Sequence, residues 1–529
     1  MHITKLKIWG LKKFEAFEIE FNEHINVLIG ENEAGKSTIL EAIDIVLNQR
    51  LFNNNATVEK YFNLNNINKF QDNPSIDSLP EIKIEVIFND DDTKIDNEFY
   101  CGLHSSFSPQ LKCGITFTYK FDQNYRELFE IDKDELSKEK STVPIPTEYY
   151  IAEWMTFAGR KYISRNTPIK NVLIDNSTRR NNIFDSYSKK IFNANIDGPK
   201  RQKLGHEFKK RIHSFITDNN GDLIIKDYTI GIDENKTILD NLVDLKSDGI
   251  SIQNKGKGKE NLIKTEIALE VNSDLIMLEE PENHLSYVNT RKLINDIQQL
   301  CGQAQIIITT HNPSIVSRLN IRNTLWICDY NSFSLKAVNQ ATADYFMKTD
   351  NMQLLNFILS NKVILVEGNS EYILLPTLTY NSFKNHLDNL KIEVLSGGGI
   401  TYKHYIEISK IINNNLLVIT DNDENQDILD EITAFNDANS NILIKCGNTV
   451  DEFTFEVCLY NENKSILKNI SNKKSKTQAS YKNKPYDKDL AYMLKNKTES
   501  ALRITTEEQY RNTLLPNYIK EGIEWLIQQ

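Results

Sequence analysis

Several short stretches of this chain hold residues whose types and spacing suit phosphate chemistry. The first, GENEAGKST, sets Gly30, Gly35, Lys36 and Ser37 in the pattern G-x4-G-K-[ST]. Glycines at those places let successive backbone N–H groups turn toward a polyphosphate, and the helix that follows offers it a positive end. Lys36 would reach the outer phosphates and the Ser37 hydroxyl would ligate Mg²⁺. Asn32 and Thr38, in the same stretch, are assigned to the nucleotide site with them. A second stretch, DLIMLEEPENHL, ends an apolar strand in Glu279 and Glu280, one acid for the metal side and one to orient water. A third, IIITTHNPS, puts His311 just past another apolar strand, where it would contact the terminal phosphate.

A different constellation lies further along. VILVEGNSE places Glu367 after a buried-type strand, with Gly368 letting the chain turn and Glu371 four residues on. VITDND ends another strand in Asp421 and Asp423, a D-x-D spacing that projects both from the same edge. Converging negative charges are tolerable only around a hard cation. Mg²⁺ held there would polarise a phosphodiester and activate water, and two ions would stabilise both the attacking and the leaving oxygen. An acidic-edged flavodoxin-like domain is the bland alternative, since D-x-D alone is common.

The elements that must carry these residues are legible as periodicities. Residues 2–29 alternate as strands and end in the apolar run 25–29, and 38–47 have helical spacing. IKIEVIF and ITFTYKF read as strands, and apolar strands recur at 275–278 and 306–309. Residues 160–240 are polar and mostly helical in pattern. Beyond 350, KVILVEG, KIEVLSGG and NLLVITDND alternate with helical segments, the signature of a parallel sheet. No sustained heptad run of coiled-coil length occurs.

Composition sets the outer bounds. A chain of 529 residues with 40% apolar and 26% charged side chains reads as a folded protein of two to four domains. The N-terminus lacks a signal peptide's apolar core and no run is long enough to span a bilayer, so a cytoplasmic location is expected. Cysteines 101, 113, 301, 328, 446 and 458 form no CxxC pair; such scattered thiols suit a reducing compartment and argue against structural zinc. Net charge is −11, yet residues 461–503 hold ten Lys and one Arg against four acids. That segment is either a solvated surface or a phosphate-contacting patch.

Taken in order, the nucleotide motifs resemble the split cassette of SMC, RecF and Rad50 ATPases. The resemblance implies a head-to-head dimer with ATP between subunits. KGKGKEN (Gly256, Gly258, Lys259) stands where the cassette signature would open a helix, but it departs from the LSGGQ form. The strand–Glu-Gly turn plus later strand–Asp-x-Asp resembles the Toprim domain of topoisomerases, primases and nucleases. Toprim behind an SMC-like ATPase resembles the OLD (overcoming lysogenisation defect) nucleases, over nearly the whole chain. That resemblance assigns Glu456 in TFEVCL as a further metal-site acid and Lys497 in NKTESAL as a transition-state cation, with Asp451, Glu452 and Lys488 as nearby competitors. The ending LPNYIKEGIEWL is also similar to the family's terminus.

The expected fold is therefore α/β: a split ABC/SMC-like ATPase followed by a Rossmann-like Toprim domain with a parallel sheet. The expected division is 1–160 (first ATPase half), 161–240 (helical insertion used for dimerisation), 241–348 (second half) and 349–529 (Toprim with its Lys-rich segment). The resemblance implies ATP and Mg²⁺ as cofactors, with Mn²⁺ or Ca²⁺ acceptable at the Toprim site. It implies DNA as substrate and a homodimer or higher even-numbered oligomer. It further implies service in anti-phage defence beside a partner, either a helicase-like protein or a retron reverse transcriptase with its msDNA, and no membrane. The competing expectation is a non-catalytic ATP-dependent sensor or scaffold with a latent Toprim site. A RecF-like loader leaves residues 360–460 unexplained, and no zinc module or catalytic-tyrosine domain of a primase or topoisomerase is recognisable.

Overall fold

The computed structural model describes residues 1–49, 58–89, 96–102, 111–138, 143–175, 196–218, 224–225, 228–229, 239, 246–247, 249–251, 256–270, 273–299, 304–349, 351–397, 402–471, 478–482 and 484–529. The chain divides into two compact units, Met1–Ile315 with Asn323–Phe333, and Val316–Arg322 with Ser334–Gln529.

Alternation in the first residues builds an antiparallel sheet. Strands β1 (Ile3–Leu11), β2 (Phe14–Glu20), β4 (Ile82–Phe88), β5 (Cys101–Gly102) and β6 (Lys112–Phe121) lie in the order β2-β1-β4-β6-β5, with β7 (Tyr150–Thr156) also on β6. Leu6, Ile8, Phe17 and Ile19 face the core, while Lys5 and Lys7 meet Glu20 and Glu18 across the strands at 3.1 and 3.5 Å. The register also sets Cys101 opposite Cys113, and the two are joined as a disulfide. The reading of these two as scattered free thiols is thereby corrected. A separation of twelve residues closes into cross-strand neighbours once the hairpin forms.

Apolar runs, by contrast, build a parallel sheet. Its order is β12 (Asn331–Ser334), β11 (Thr324–Cys328), β3 (Ile25–Ile29), β10 (Gln305–Thr309), β9 (Leu275–Glu279) and β8 (Asn171–Asp175), the pairings from β11 to β8 being parallel and β12 a polar edge strand reached by a two-residue turn. The β3, β9 and β10 strands are buried at every residue, which is why they read as continuous hydrophobic runs. The β3 strand pairs in parallel with β10 and β11, so a strand from the first thirty residues completes a sheet made mostly after residue 270. Helix α1 (Lys36–Asn48), buried along most of its length, packs against both sheets. Of the expected insertion at 161–240, a helix over Gly198–Asp218 is present; residues 176–195 and much of 219–245 lie outside the described residues.

In the second unit, β13 (Lys362–Val366), β14 (Glu393–Ser396), β15 (Asn415–Ile419) and β16 (Ile442–Lys445) form an all-parallel sheet in the order β14-β13-β15-β16. The β16 strand is a fourth that the sequence reading missed, because its short ILIK run has no Gly-rich turn after it of the kind that marks β14. Helices α4 (Asn369–Phe383), α5 (Tyr402–Ile412), α6 (Gln426–Ala438), α7 (Phe455–Glu462), α8 (Lys488–Lys495), α9 (Lys497–Thr506) and α10 (Asn517–Gln528) complete it. The α10 helix packs on β15 and β16 and buries Tyr518, Ile519, Ile523 and Leu526 in the core.

Candidate active sites

The first candidate site lies at the carboxyl end of the buried parallel sheet. The chain leaves β3 at Gly30 and reaches α1 through Gly35, whose φ of +103° is the left-handed backbone that favours glycine. A Cβ there would come within 2.3 Å of the Phe14 ring. Lys36 is buried, and its Nζ donates to the carbonyl oxygens of Gly30 and Glu31 at 3.0 and 2.9 Å. Its donors are thus drawn inward across the loop, where phosphate oxygens would compete for them. Burial lowers the Lys36 pKa, against the opposing pull of Glu280 and Glu279. Ser37 and Asn32 are exposed, whereas Thr38 is buried. A cradle of this geometry fits a nucleotide polyphosphate with its divalent ion at Ser37.

The strand ends bring the remaining residues to this loop. Glu279 closes β9 in register with Thr309 of β10 and is buried. Glu280 follows with φ +43°; its N–H donates to the Thr309 carbonyl at 3.0 Å, and its Oε2 accepts from Asn283 Nδ2 at 2.6 Å. Its Oε1 is 3.7 Å from His311 Nε2. Burial, then Lys36, lowers the His311 pKa, favouring a neutral ring beside the nucleotide loop. Gly258 and Lys259 stand in the first turn of α2 (Lys257–Glu270), and a Cβ on Gly258 would meet the His284 carbonyl at 2.2 Å. Sequence reading overlooked Glu282 in the same EEPE run. Its Oε1 accepts from the Thr310 hydroxyl at 2.6 Å and the His311 N–H at 3.2 Å, fixing the backbone that carries the histidine.

The second site sits at the carboxyl edge of the four-stranded sheet. Glu367 follows β13, and its Oε2 accepts from the Thr420 hydroxyl and the Asp421 N–H at 2.9 and 3.2 Å. The chain bends at Glu367 and Gly368 as expected, but Gly368 has extended backbone (φ −126°) that any residue could adopt. Space is what it supplies, for a Cβ would lie 2.8 Å from Glu371 Oε2. Glu371, in the first turn of α4, is 4% exposed. Burial, then the charges of Glu456 and Glu367, pushes its pKa up to about 7, against Lys497. Asp421 is pushed up to about 7 by burial and by Glu371, Glu456 and Glu367, again against Lys497.

Asp421 and Asp423 lie beyond the end of β15, on a turn rather than on the strand itself. Asp421 Oδ1 accepts the Phe455 N–H at 3.0 Å. Asp423 is exposed, with φ +51°. Between them Asn422, fully buried, donates its amide to the carbonyls of Gly447, Thr449 and Glu452. That clamp holds the turn and was not anticipated, because an Asn between two Asp carries no distinctive signal.

Glu456 and Lys497, separated by forty-one positions in sequence, meet here. Lys497 Nζ lies 2.8 Å from Glu456 Oε2 and 3.8 Å from Asp421 Oδ2. The closer contact is an ion pair at the length of a charge-assisted hydrogen bond. Glu456 Oε1 accepts from the Ser370 hydroxyl at 3.0 Å. Burial opposes the charge on Lys497, but Glu456, Asp421 and Glu371 outweigh it and raise its pKa. Of the competitors, Glu452 accepts the Asn448 N–H at 2.9 Å, and Lys488 reaches Asn469 Oδ1 at 3.4 Å. Tyr518, missed in the sequence, is buried beneath the cluster; burial and then Cys458, Asp421, Glu371 and Glu456 hold its phenol well above the ordinary range.

Among the described residues no three His, Cys, Asp or Glu side chains already stand at metal-holding geometry. The donor chemistry nonetheless fits a hard cation. Buried carboxylates crowded enough to retain protons near neutrality are relieved by one. Glu367, Glu371, Asp421, Asp423 and Glu456 are the residues that would hold it.

Both units of the chain are similar to known families. Residues 1–195 match the family described as AAA ATPase domain, and 260–317 that described as AAA domain, putative AbiEii toxin, Type IV TA system. Residues 358–423 match the Overcoming lysogenization defect protein-like TOPRIM domain. The Rad50 DNA double-strand break repair ATPase of Methanopyrus kandleri is 52% identical over 50 residues, 10% of this chain and 6% of that protein. The replication and repair protein RecF of Oceanobacillus iheyensis is 44% identical over 46 residues, 9% of this chain and 12% of that one. An ATP/GTP phosphatase of Helicobacter pylori is 22% identical over 345 residues, covering 60% of this chain and 87% of its own. Among solved structures, the SMC head bound to the C-winged helix domain of ScpA aligns with a TM-score of 0.34 at 14% identity, over 64% of this chain and all but 1% of its own. Among the described residues no helix is long and apolar enough to cross a membrane.

Proposed function

Since residues 1–195 and 260–317 match AAA ATPase domain families and residues 358–423 an OLD-like Toprim domain, we propose that the chain is an ATP-regulated, divalent-metal-dependent DNA endonuclease. One observation carries this reading: Glu371, Asp421, Glu456 and Lys497, from four separate elements, converge at one sheet edge. Bound Mg²⁺, with Mn²⁺ or Ca²⁺ as substitutes, would supply Lewis-acid activation of water and charge neutralisation at the phosphodiester. The chain's own part is to hold the acids and to present the Lys497 ammonium, a fixed cation suited to charge that develops on a phosphate oxygen. Ser370, Asn422 and the Phe455 N–H orient those acids. In the ATPase unit, Lys36 and the Gly30–Gly35 loop bind the phosphates, Glu280 orients water and His311 senses the terminal phosphate.

The proposed organisation is an ATPase split into 1–160 and 241–348, a dimerising insertion at 161–240 and a Toprim nuclease at 349–529. The assembly is an even-numbered oligomer whose conformation ATP sets. Its setting is the cytoplasm, in anti-phage defence beside a helicase-like or retron partner. A second reading, an ATP-dependent sensor or scaffold with a latent Toprim site, is favoured by the Lys497 ammonium occupying the space between Glu456 and Asp421. Incubation of plasmid DNA with Mg²⁺ or Mn²⁺, with and without ATP, separates the two. The nuclease reading expects nicking or linearisation by the wild type and none by Asp421→Ala. Equal cutting by both would assign the activity elsewhere, and no cutting under any condition would favour the sensor.

A further inference from the structure

A cavity of about 420 Å³ opens directly beside the carboxylate cluster. Glu367, Asp421 and Asp423 form one wall; Tyr402 of α5, Ile432 and Phe435 of α6 form much of the rest. Its place follows from topology. The sheet order β14-β13-β15-β16 reverses direction between β13 and β15, and the loops leaving those two strands are the ones that carry Glu367 and Asp421. Crevices at the carboxyl ends of strands where the order reverses are where open α/β sheets bind ligands.

The lining narrows the ligand. An apolar floor with an aromatic ring suits a flat, uncharged group. The rim acids Glu367, Asp423 and Glu431 repel an anion, so a phosphate is not the occupant. Lys403, exposed at the mouth, offers one cation to a neighbouring phosphate. Phe435 has Lys410 Nζ 5.3 Å from its ring centroid, which leaves Tyr402 as the stacking surface and Phe435 as an apolar wall. A volume of this size accepts one nucleobase with part of its sugar.

We infer that this cavity receives a single unstacked nucleobase of the substrate strand, next to the phosphate cut at the carboxylates, so that the enzyme acts on single-stranded or locally melted DNA. The inference rests on the nuclease reading and adds to it a substrate class. Extruding a base from an intact duplex costs stacking and pairing, whereas a single strand presents it without that cost.

The test uses the full chain with labelled oligonucleotides, Mn²⁺ and ATP. The wild type should cut a single strand at least about tenfold faster than its blunt duplex. An abasic position should suppress cutting at one adjoining phosphate by about tenfold, the scale of one lost stacking contact. Tyr402→Ala should lose that discrimination and Tyr402→Phe should keep it, which separates stacking from misfolding. Equal cutting at abasic and intact positions, by a wild type that Asp421→Ala silences, would overturn the cavity's role and leave the nuclease reading intact. If the wild type cuts nothing, the nuclease reading fails on its own. Binding then decides the cavity, using a single strand carrying 2-aminopurine in Ca²⁺. A fluorescence change that Tyr402→Ala abolishes supports the inference, and an unchanged wild-type signal overturns it.

Discussion

Asp421 and Glu371 are acids held protonated near neutrality by burial and by one another, with Lys497 opposing. Their folded pKa values, about 7, stand above ordinary carboxylate values of about 4. The proton-bound form is therefore favoured by folding. The stability it brings is complete below about pH 4 and is lost as pH rises through 7. In EDTA the melting temperature of the Toprim unit should fall by at least about 5 °C between pH 5 and 8. Mg²⁺ should restore it at pH 8, where the deprotonated acids bind the ion. Calorimetry at both pH values checks this, and a flat profile in EDTA would contradict the buried-acid cluster. Lys497→Met should cut nuclease rate by about 10² to 10³ at saturating metal, the usual scale for one lost charge-stabilising group. Relieving the acids of their cation while sparing the fold would appear as unchanged far-ultraviolet dichroism. These residues were only partly legible beforehand. Glu367, Asp421 and Asp423 stand at strand ends and could be read, whereas Ser370, Asn422 and Tyr518 act through contacts that no spacing announces.

At the level of elements, the loop between β3 and α1 and the first turn of α2 make separable demands. Gly35→Ala would force a Cβ into the Phe14 ring and out of left-handed backbone. ATP affinity should drop at least about tenfold by calorimetric titration, comparable with Lys36→Ala, because an Ala at positive φ and the displaced loop each disfavour the bound form. Gly258→Val would push on the His284 carbonyl and displace the start of α2. If that segment acts in the ATP sandwich despite its departure from LSGGQ, ATP binding to the free chain should persist while ATP-induced association, followed by light scattering, is lost. Most of these elements were readable: period-two alternation in β1 and β2, apolar runs in β3, β9, β10, β13 and β15. The short β16 strand was not, since its ILIK run lacks a Gly-rich turn after it of the kind that marks β14.

Across the whole molecule, the AAA ATPase matches fall almost wholly in one compact unit and the OLD-like Toprim match in the other. If ATP acts as a switch, Glu280→Gln should bind ATP normally, turn it over about 10²-fold more slowly and accumulate as the ATP-bound oligomer, as measured by phosphate release and size-exclusion light scattering. Such a variant should still cut DNA with ATP present. Loss of both cutting and turnover together would instead make hydrolysis the fuel. The distinction matters because the proposed site gathers Lys36, Glu279, Glu280 and His311 around one loop, where binding and hydrolysis would draw on the same residues.

What the sequence determined by itself were the local chemistries. A phosphate loop needs its glycines within a few residues, and buried strands need continuous apolar runs, so both are written in short windows. Tertiary structure alone decided what those windows meet. It placed β3 between strands that come some 280 residues later, closed Cys101 onto Cys113, and brought Glu456 and Lys497 to Asp421. It also opened a cavity at the point where strand order reverses. Each depends on sheet order and helix packing, which are set by the burial of whole faces rather than by any one stretch of residues.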